Sequence, residues 1–171
     1  QHKKAEESRL IVGISQNQIH NGDKFRSVIK PNVQFVLLFF VFRQRAHIGT
    51  DTFDGIKGAL EQKLGPAFKI RARQADAVAE EISKAKGDYI LVCGDFNDTP
   101  ISYAHRTVQG PLVDSFAESG QGMGITYNQN MFWFRIDNIL HSKNMKSMNC
   151  TIDKVRYSDH YPLWCYLSLE E

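Results

Sequence analysis

Apolar runs and amphipathic stretches follow one another along this chain, and the polar breaks between them delimit its elements. Leu10 to Ile14 is a short apolar run that predicts a strand. The polar stretch Gln16 to Asp23 holds the turn pair Asn21-Gly22 and predicts a loop. Phe25 to Ile29 alternates in part and predicts another short strand. Pro31-Asn32 then breaks the chain ahead of Val33 to Phe42, a run rich in Val and Phe that fits a strand buried on both faces. Periodicity alone leaves a buried helix open for the same run. Arg43-Gln44-Arg45 closes it with charge, and the polar stretch His47 to Asp54 predicts a loop.

Asp54 to Leu64 predicts a short helix ended by Gly65, with Pro66 opening the next one. That second helix, Ala67 to Lys86, carries Ala75, Val78, Ala79 and Ile82 at i, i+3, i+4, i+7. Glu80 and Lys84 pair four apart on its wet face, and Gly87 terminates it. A tight turn leads into the apolar strand Tyr89 to Cys93, so this stretch is an α-then-β unit. Gly94-Asp95-Phe96-Asn97-Asp98 follows. Thr99 is placed to cap a helix whose first position is Pro100, running through Ser102 and His105 to Val108 and ended by Gln109-Gly110-Pro111. Beyond it the pattern shortens to strands at Leu112 to Phe116, Ile125 to Tyr127, Ile136 to His141 and Tyr161 to Leu167. A flexible loop with three glycines covers Glu118 to Gly124.

A length of 171 residues suffices for one domain with its own core. The formal net charge of +2 neither demands nor excludes a nucleic acid partner, whose footprint would be clustered Lys and Arg. Cys93, Cys150 and Cys165 form no CxxC pair, and two lie in apolar runs, which favours buried thiols over disulfides or a zinc site. The longest apolar run, Phe35 to Phe42, falls short of the roughly 20 residues that cross a bilayer. No signal peptide pattern opens the chain and the first residue is Gln, so a fragment or processed product is expected; compartment is not legible.

Three polar clusters punctuate the strands of the second half: Gly94 to Asp98, Arg135-Ile136-Asp137, and Ser158-Asp159-His160. Each alone reads as an ordinary turn or cap. Together they bring carboxylates, an amide and an imidazole to strand ends, the place where open α/β sheets bind ligands. Hydrolysis of a phosphate ester needs an oriented, deprotonated water, stabilised negative charge and a neutralised leaving oxygen. A carboxylate can orient the water, an amide can donate to a phosphoryl oxygen, and an imidazole held by a buried carboxylate can act as the acid or as a cation. A hard divalent ion offsets the remaining charge. Asp95, Asn97, Asp137, Asp159 and His160 supply these roles, short of a complete metal site.

GDFND at Gly94 to Asp98, RIDNIL at Arg135 to Leu140 and SDHYPL at Ser158 to Leu163 stand in the order and spacing of one superfamily. From Arg71 to Leu167 the chain resembles the C-terminal portion of the endonuclease/exonuclease/phosphatase superfamily, with the deoxyribonuclease I-like fold. Its members include exonuclease III-like repair nucleases, sphingomyelinases and inositol polyphosphate phosphatases. The resemblance implies an α/β (α+β) protein, a two-layer β-sandwich with flanking helices, incomplete at the N-terminus. It implies one domain over residues 1–171, poorly matched over 1–66 and well matched over 67–168. It implies a divalent-metal-dependent phosphoesterase using Mg²⁺, with Mn²⁺ as the alternative ion. The substrate would be a phosphate ester, whether nucleic acid, lipid headgroup or small molecule, and no obligate protein partner is implied. Asp95 resembles the family's water-activating aspartate and Asn97 its phosphate-contacting asparagine. His160 matches the histidine on the scissile phosphate, Asp137 the carboxylate that holds that histidine, and Asp159 a ligand in some proposals for the metal.

The family's first half supplies an Asn and a metal-binding Glu at strand ends, and neither motif occurs upstream of Gly94. Glu6, Glu7 and Glu61 lie in polar or helical contexts and none is assigned as that ligand; His47 reads as a loop histidine. The alternative function is therefore a truncated, inactive remnant or a non-catalytic binding domain on the same scaffold. Phe132-Trp133-Phe134 reads as a loop anchored in the core, Arg71 and Arg73 as solvated helix residues, and Cys93 as a core thiol. His105 and His141 have no motif around them.

Overall fold

The computed structural model of the chain describes residues 9–14, 33–39, 53–129, 133–155 and 158–169, with side chains from Phe68 onward. The strands are β1 (Arg9–Ile14), β2 (Val33–Phe39), β3 (Tyr89–Asp95), β4 (Val113–Asp114), β5 (Asp137–His141), β6 (Met145–Ile152) and β7 (Leu163–Leu169). The helices are α1 (Phe53–Lys84), α2 (Tyr103–Gln109) and α3 (Ser115–Ser119). Among the described residues β1-β7-β6 form one antiparallel sheet. The second sheet has the order β2-β3-β5-β4, with β2 parallel to β3 across α1 and the other pairs antiparallel.

Alternation along β3 and β5 divides the core in two, because successive strand residues point to opposite faces. Leu91 and Cys93 of β3 and Ile139 of β5 pack against Met145, Cys150, Leu163, Cys165 and Leu167 of the other sheet. Val92 and Leu140, one residue out of step, pack with Ala75 and Ile82 of α1, Ala104 and Val108 of α2, Phe96 and Leu112. The result is a two-layer β-sandwich with α1 and α2 on the outer face of one sheet, while Phe116 of α3 packs against the cluster between the sheets. All three cysteines are free and buried. No helix of the described residues is long and apolar enough to cross a membrane.

Several elements differ from the sequence pattern. Gly65-Pro66 does not split the first helical stretch: α1 runs unbroken for 32 residues and ends at Lys84. A proline removes one ladder hydrogen bond at a cost of about 3 kcal/mol, which the helix on either side can absorb. Ser102, not Thr99, caps α2: its Oγ accepts from the His105 N–H at 3.1 Å, while Thr99 to Ser102 forms a turn. Leu112 to Phe116 is strand only at Val113–Asp114, because the Asp114 carboxylate caps α3 by accepting from the Phe116 and Ala117 N–H groups. Ile125 to Tyr127 makes isolated bridges rather than a ladder. Strand β6 was not signalled: its inward positions are Met145, Ser147 and Cys150, and a register shift between Met148 and Thr151 breaks the alternation. The glycines at 120 and 124 close over one ring, where a Cβ on either would meet Phe116 at 2.5 and 2.6 Å. Gln16 to Asp23, Phe25 to Ile29, Phe40 to Phe42 and His47 lie outside the described residues, as do the side chains of β2.

Candidate active site

The register of the central strands brings the carboxylates together. Asp95, the last residue of β3, pairs directly with Asp137, the first of β5. Directly opposed residues share a face, and counting back by two places both carboxylates on the face that carries Cys93 and Ile139. They stand at the rim of the sandwich, where the apolar filling between the sheets ends. His160 arrives from the segment before β7, and its Nδ1 lies 2.9 Å from Asp137 Oδ2. Asp95, Asp137 and His160 are all buried, and a ligand atom from each lies within 4.8 Å of the others.

The loop after β3 folds back on Asp95. The Asn97 backbone N–H donates to Asp95 Oδ1 at 2.8 Å and its side-chain amide donates to Oδ2 at 3.0 Å. This return needs Asn97 in the left-handed region, at φ 49°, which asparagine tolerates better than most residues. Asp98 turns outward to Arg71 of α1, its Oδ2 3.4 Å from the Arg71 Nε, a charge contact without hydrogen-bond alignment. Arg71 is therefore buried and paired, not solvated, while Arg73 is exposed.

Burial first, and then the charge of Asp137, push the Asp95 carboxyl up to about 6, against the opposing hydrogen bonds of Asn97 and the attraction of His160. Burial pulls the His160 imidazolium down, but the hydrogen bond and charge of Asp137, with Asp95 and Asp159 behind them, raise it overall. Two carboxylates buried this close to each other, with Asp95 raised, are a setting that a hard divalent cation with oxygen ligands relieves. The donor set fits such an ion through its carboxylate oxygens, since His160 Nδ1 is already engaged by Asp137. Asp159 is exposed, accepts from the Ser158 hydroxyl at 3.2 Å, and stands outside the three-residue group.

Other polar residues support this arrangement. Arg135, two residues before Asp137, holds both oxygens of Asp114 at 2.9 and 2.6 Å and lies over the Phe116 ring. His105 is fully buried, with Nε2 3.3 Å from Asp114 Oδ2 but outside hydrogen-bond alignment. His141 bridges Glu118 and the Ser142 carbonyl. Thr126, unremarkable in the sequence, accepts from the Ile136 and Asp137 N–H groups. Trp133 and Phe134 are 63% and 45% exposed, so that part of the aromatic cluster is not anchored in the core; Phe132 lies outside the described residues.

The model of the Endonuclease/Exonuclease/phosphatase family matches residues 12–160. The chain belongs to this family. A family structure from Bacteroides vulgatus is 25% identical, covering 60% of this chain and 45% of that one with a TM-score of 0.52. A mannosyl-6-phosphatase from Bacteroides thetaiotaomicron is 22% identical over 59% of this chain and 46% of its own, at 0.47. A humanized D. rerio TDP2 is 19% identical over 59% and 49%, at 0.48. The chain thus spans less than half the length of these structures. No curated protein matches it significantly. Within the family frame, β3 and β5 carry the GDFND and RIDNIL motifs to one rim, and SDHYPL reaches that rim from the opposing sheet.

Proposed function

We propose that this chain carries the reaction centre of a divalent-metal-dependent phosphoesterase that hydrolyses a phosphodiester or phosphomonoester. The observation that supports it most is the buried Asp137–His160 hydrogen bond beside Asp95. Asp95, buried at the end of β3 beside Asp137 and His160, orients the attacking water and accepts its proton. Asp137 fixes the imidazole through Nδ1 and favours its protonated form, so that His160 Nε2 can donate to a phosphoryl oxygen. Asn97 contributes its amide to the phosphate and holds Asp95 in orientation. A bound Mg²⁺, or Mn²⁺ in its place, supplies Lewis-acid stabilisation of charge on the phosphate and leaving oxygen. Asp95 and Asp137 would hold it, with Asp159 as a further carboxylate from the rim. The substrate class is a phosphate ester: nucleic acid, lipid headgroup or small molecule.

One observation favours a second reading, a non-catalytic remnant: among the described residues the group able to hold a metal contains no glutamate. Turnover of bis(4-nitrophenyl) phosphate with and without Mg²⁺, alongside calorimetric titration of Mg²⁺, separates the two. The enzyme reading expects magnesium-dependent turnover that Asp95→Asn and His160→Ala each reduce by about 100-fold or more. A folded sample with no such turnover sinks that reading for this chain, and turnover that survives both substitutions means that the centre lies elsewhere.

A further inference from the structure

Thr126 sits where the segments of the centre meet, and it is completely buried. Its Oγ1 accepts two successive backbone N–H groups, from Ile136 at 3.0 Å and Asp137 at 3.1 Å. Its carbonyl accepts the N–H of Tyr161, the residue after His160, at 2.7 Å. Tyr127 beside it bridges Phe134 on one side and His160 on the other, and its ring lies 5.1 Å from the imidazole centroid. Asp137 opens β5 and His160 precedes β7, and these strands belong to different sheets, so no ladder fixes their separation.

We propose that Thr126 is the positioning residue of the Asp137–His160 dyad. Its side chain fixes the backbone of the carboxylate and its main chain fixes the backbone beside the imidazole. One residue thereby sets the span across which Nδ1 and Oδ2 meet at 2.9 Å. A hydroxyl is required because the site needs a buried acceptor for two N–H groups; a methyl in its place leaves both donors unsatisfied. The gap that the dyad tolerates is about 0.5 Å, so a small shift of the Asp137 backbone is enough to break it. The inference rests on the phosphoesterase reading for its catalytic meaning, while its geometric claim is tested without substrate.

The test compares Thr126→Val, which keeps the shape and loses the acceptor, with Thr126→Ser, which keeps the acceptor. The readout is the low-field proton resonance of the His160 Nδ1–H in the nitrogen-15-labelled chain, assigned by its loss in Asp137→Ala. The parent and Thr126→Ser are expected to share the resonance, and Thr126→Val to lose or shift it with its fold intact by circular dichroism. An unshifted resonance in Thr126→Val, its loss in Thr126→Ser, or its absence from the parent overturns the proposal. Should Thr126→Val not fold, Thr126→Ser decides. Where turnover is measurable, Thr126→Val lowers kcat by about tenfold or more at unchanged KM, and Thr126→Ser restores it. Absent turnover throughout, with the expected resonances, counts against the phosphoesterase reading alone.

Discussion

Arg135 grips both carboxylate oxygens of Asp114 in a buried pair, two residues ahead of the Asp137 that holds His160. The pair ties the start of α3 to the start of β5, so the support of the centre depends on charges removed from water. Removing one partner of a buried pair destabilises by about 3–5 kcal/mol, whereas replacing both with apolar groups is often neutral. Asp114→Ala is expected to lower the unfolding free energy measured in urea by an amount in that range, and Asp114→Leu with Arg135→Met to recover the part owed to the ion pair but not the α3 cap. A single substitution with little effect in urea unfolding would show the pair to be idle. Burial raises the Asp114 carboxyl, but His105 and then the Arg135 guanidinium hold it well below the ordinary range. A depressed carboxyl contributes its stability in full above about pH 4 and loses it as the pH falls further. The destabilisation by Asp114→Ala should therefore shrink in strong acid.

Asp95 behaves in the opposite sense. Its carboxyl is raised to about 6 in the folded chain, by burial first and then by Asp137. Between about pH 4 and 6 the folded state holds a proton that the unfolded state has released, so the group's contribution to stability is full below about pH 4. The advantage fades as the pH rises through about 6. Asp95→Asn cannot lose that proton, so in metal-free buffer its melting temperature relative to the parent should climb between about pH 4 and 7. A difference that stays flat across that window would refute the raised carboxyl.

Cys93, Cys150 and Cys165 line the interior between the sheets, and burial pushes the Cys93 thiol well above its usual range. All three thiols are buried, so a disulfide reagent should hardly reach them in the folded chain and should label all three in guanidinium. Fast labelling of any one without denaturant would place that strand nearer to solvent than this packing does.

The sequence made some of this legible and hid the rest for physical reasons. Strand β3 announced itself because its residues are apolar on both sides, one face filling the sandwich and the other meeting the helices. Asp95, Asp137 and His160 stood out because charged groups at the ends of apolar strands are conspicuous. Strand β6 was hidden because a buried Ser147 and a shift after Met148 leave no clean period of two. Arg71 read as solvated because its ion pair comes from Asp98, beyond the next strand, and pattern along one helix cannot show it. Thr126 escaped notice because its role lies in accepting backbone N–H groups ten and eleven residues away.

Asn97 joins two demands that substitution can separate. Its backbone occupies φ 49°, where a residue with a Cβ carries about 1–2 kcal/mol of strain, less for asparagine. Its amide also donates to Asp95 Oδ2 at 3.0 Å. Asn97→Gly removes the amide and relieves the backbone; Asn97→Ala removes the amide and keeps the strain. If the amide is what the centre needs, both variants should lose turnover alike while only Asn97→Ala loses about 1 kcal/mol of stability. Turnover that follows stability instead, retained in Asn97→Gly and lost in Asn97→Ala, would assign the residue to shaping the loop and release its amide from any part in the chemistry.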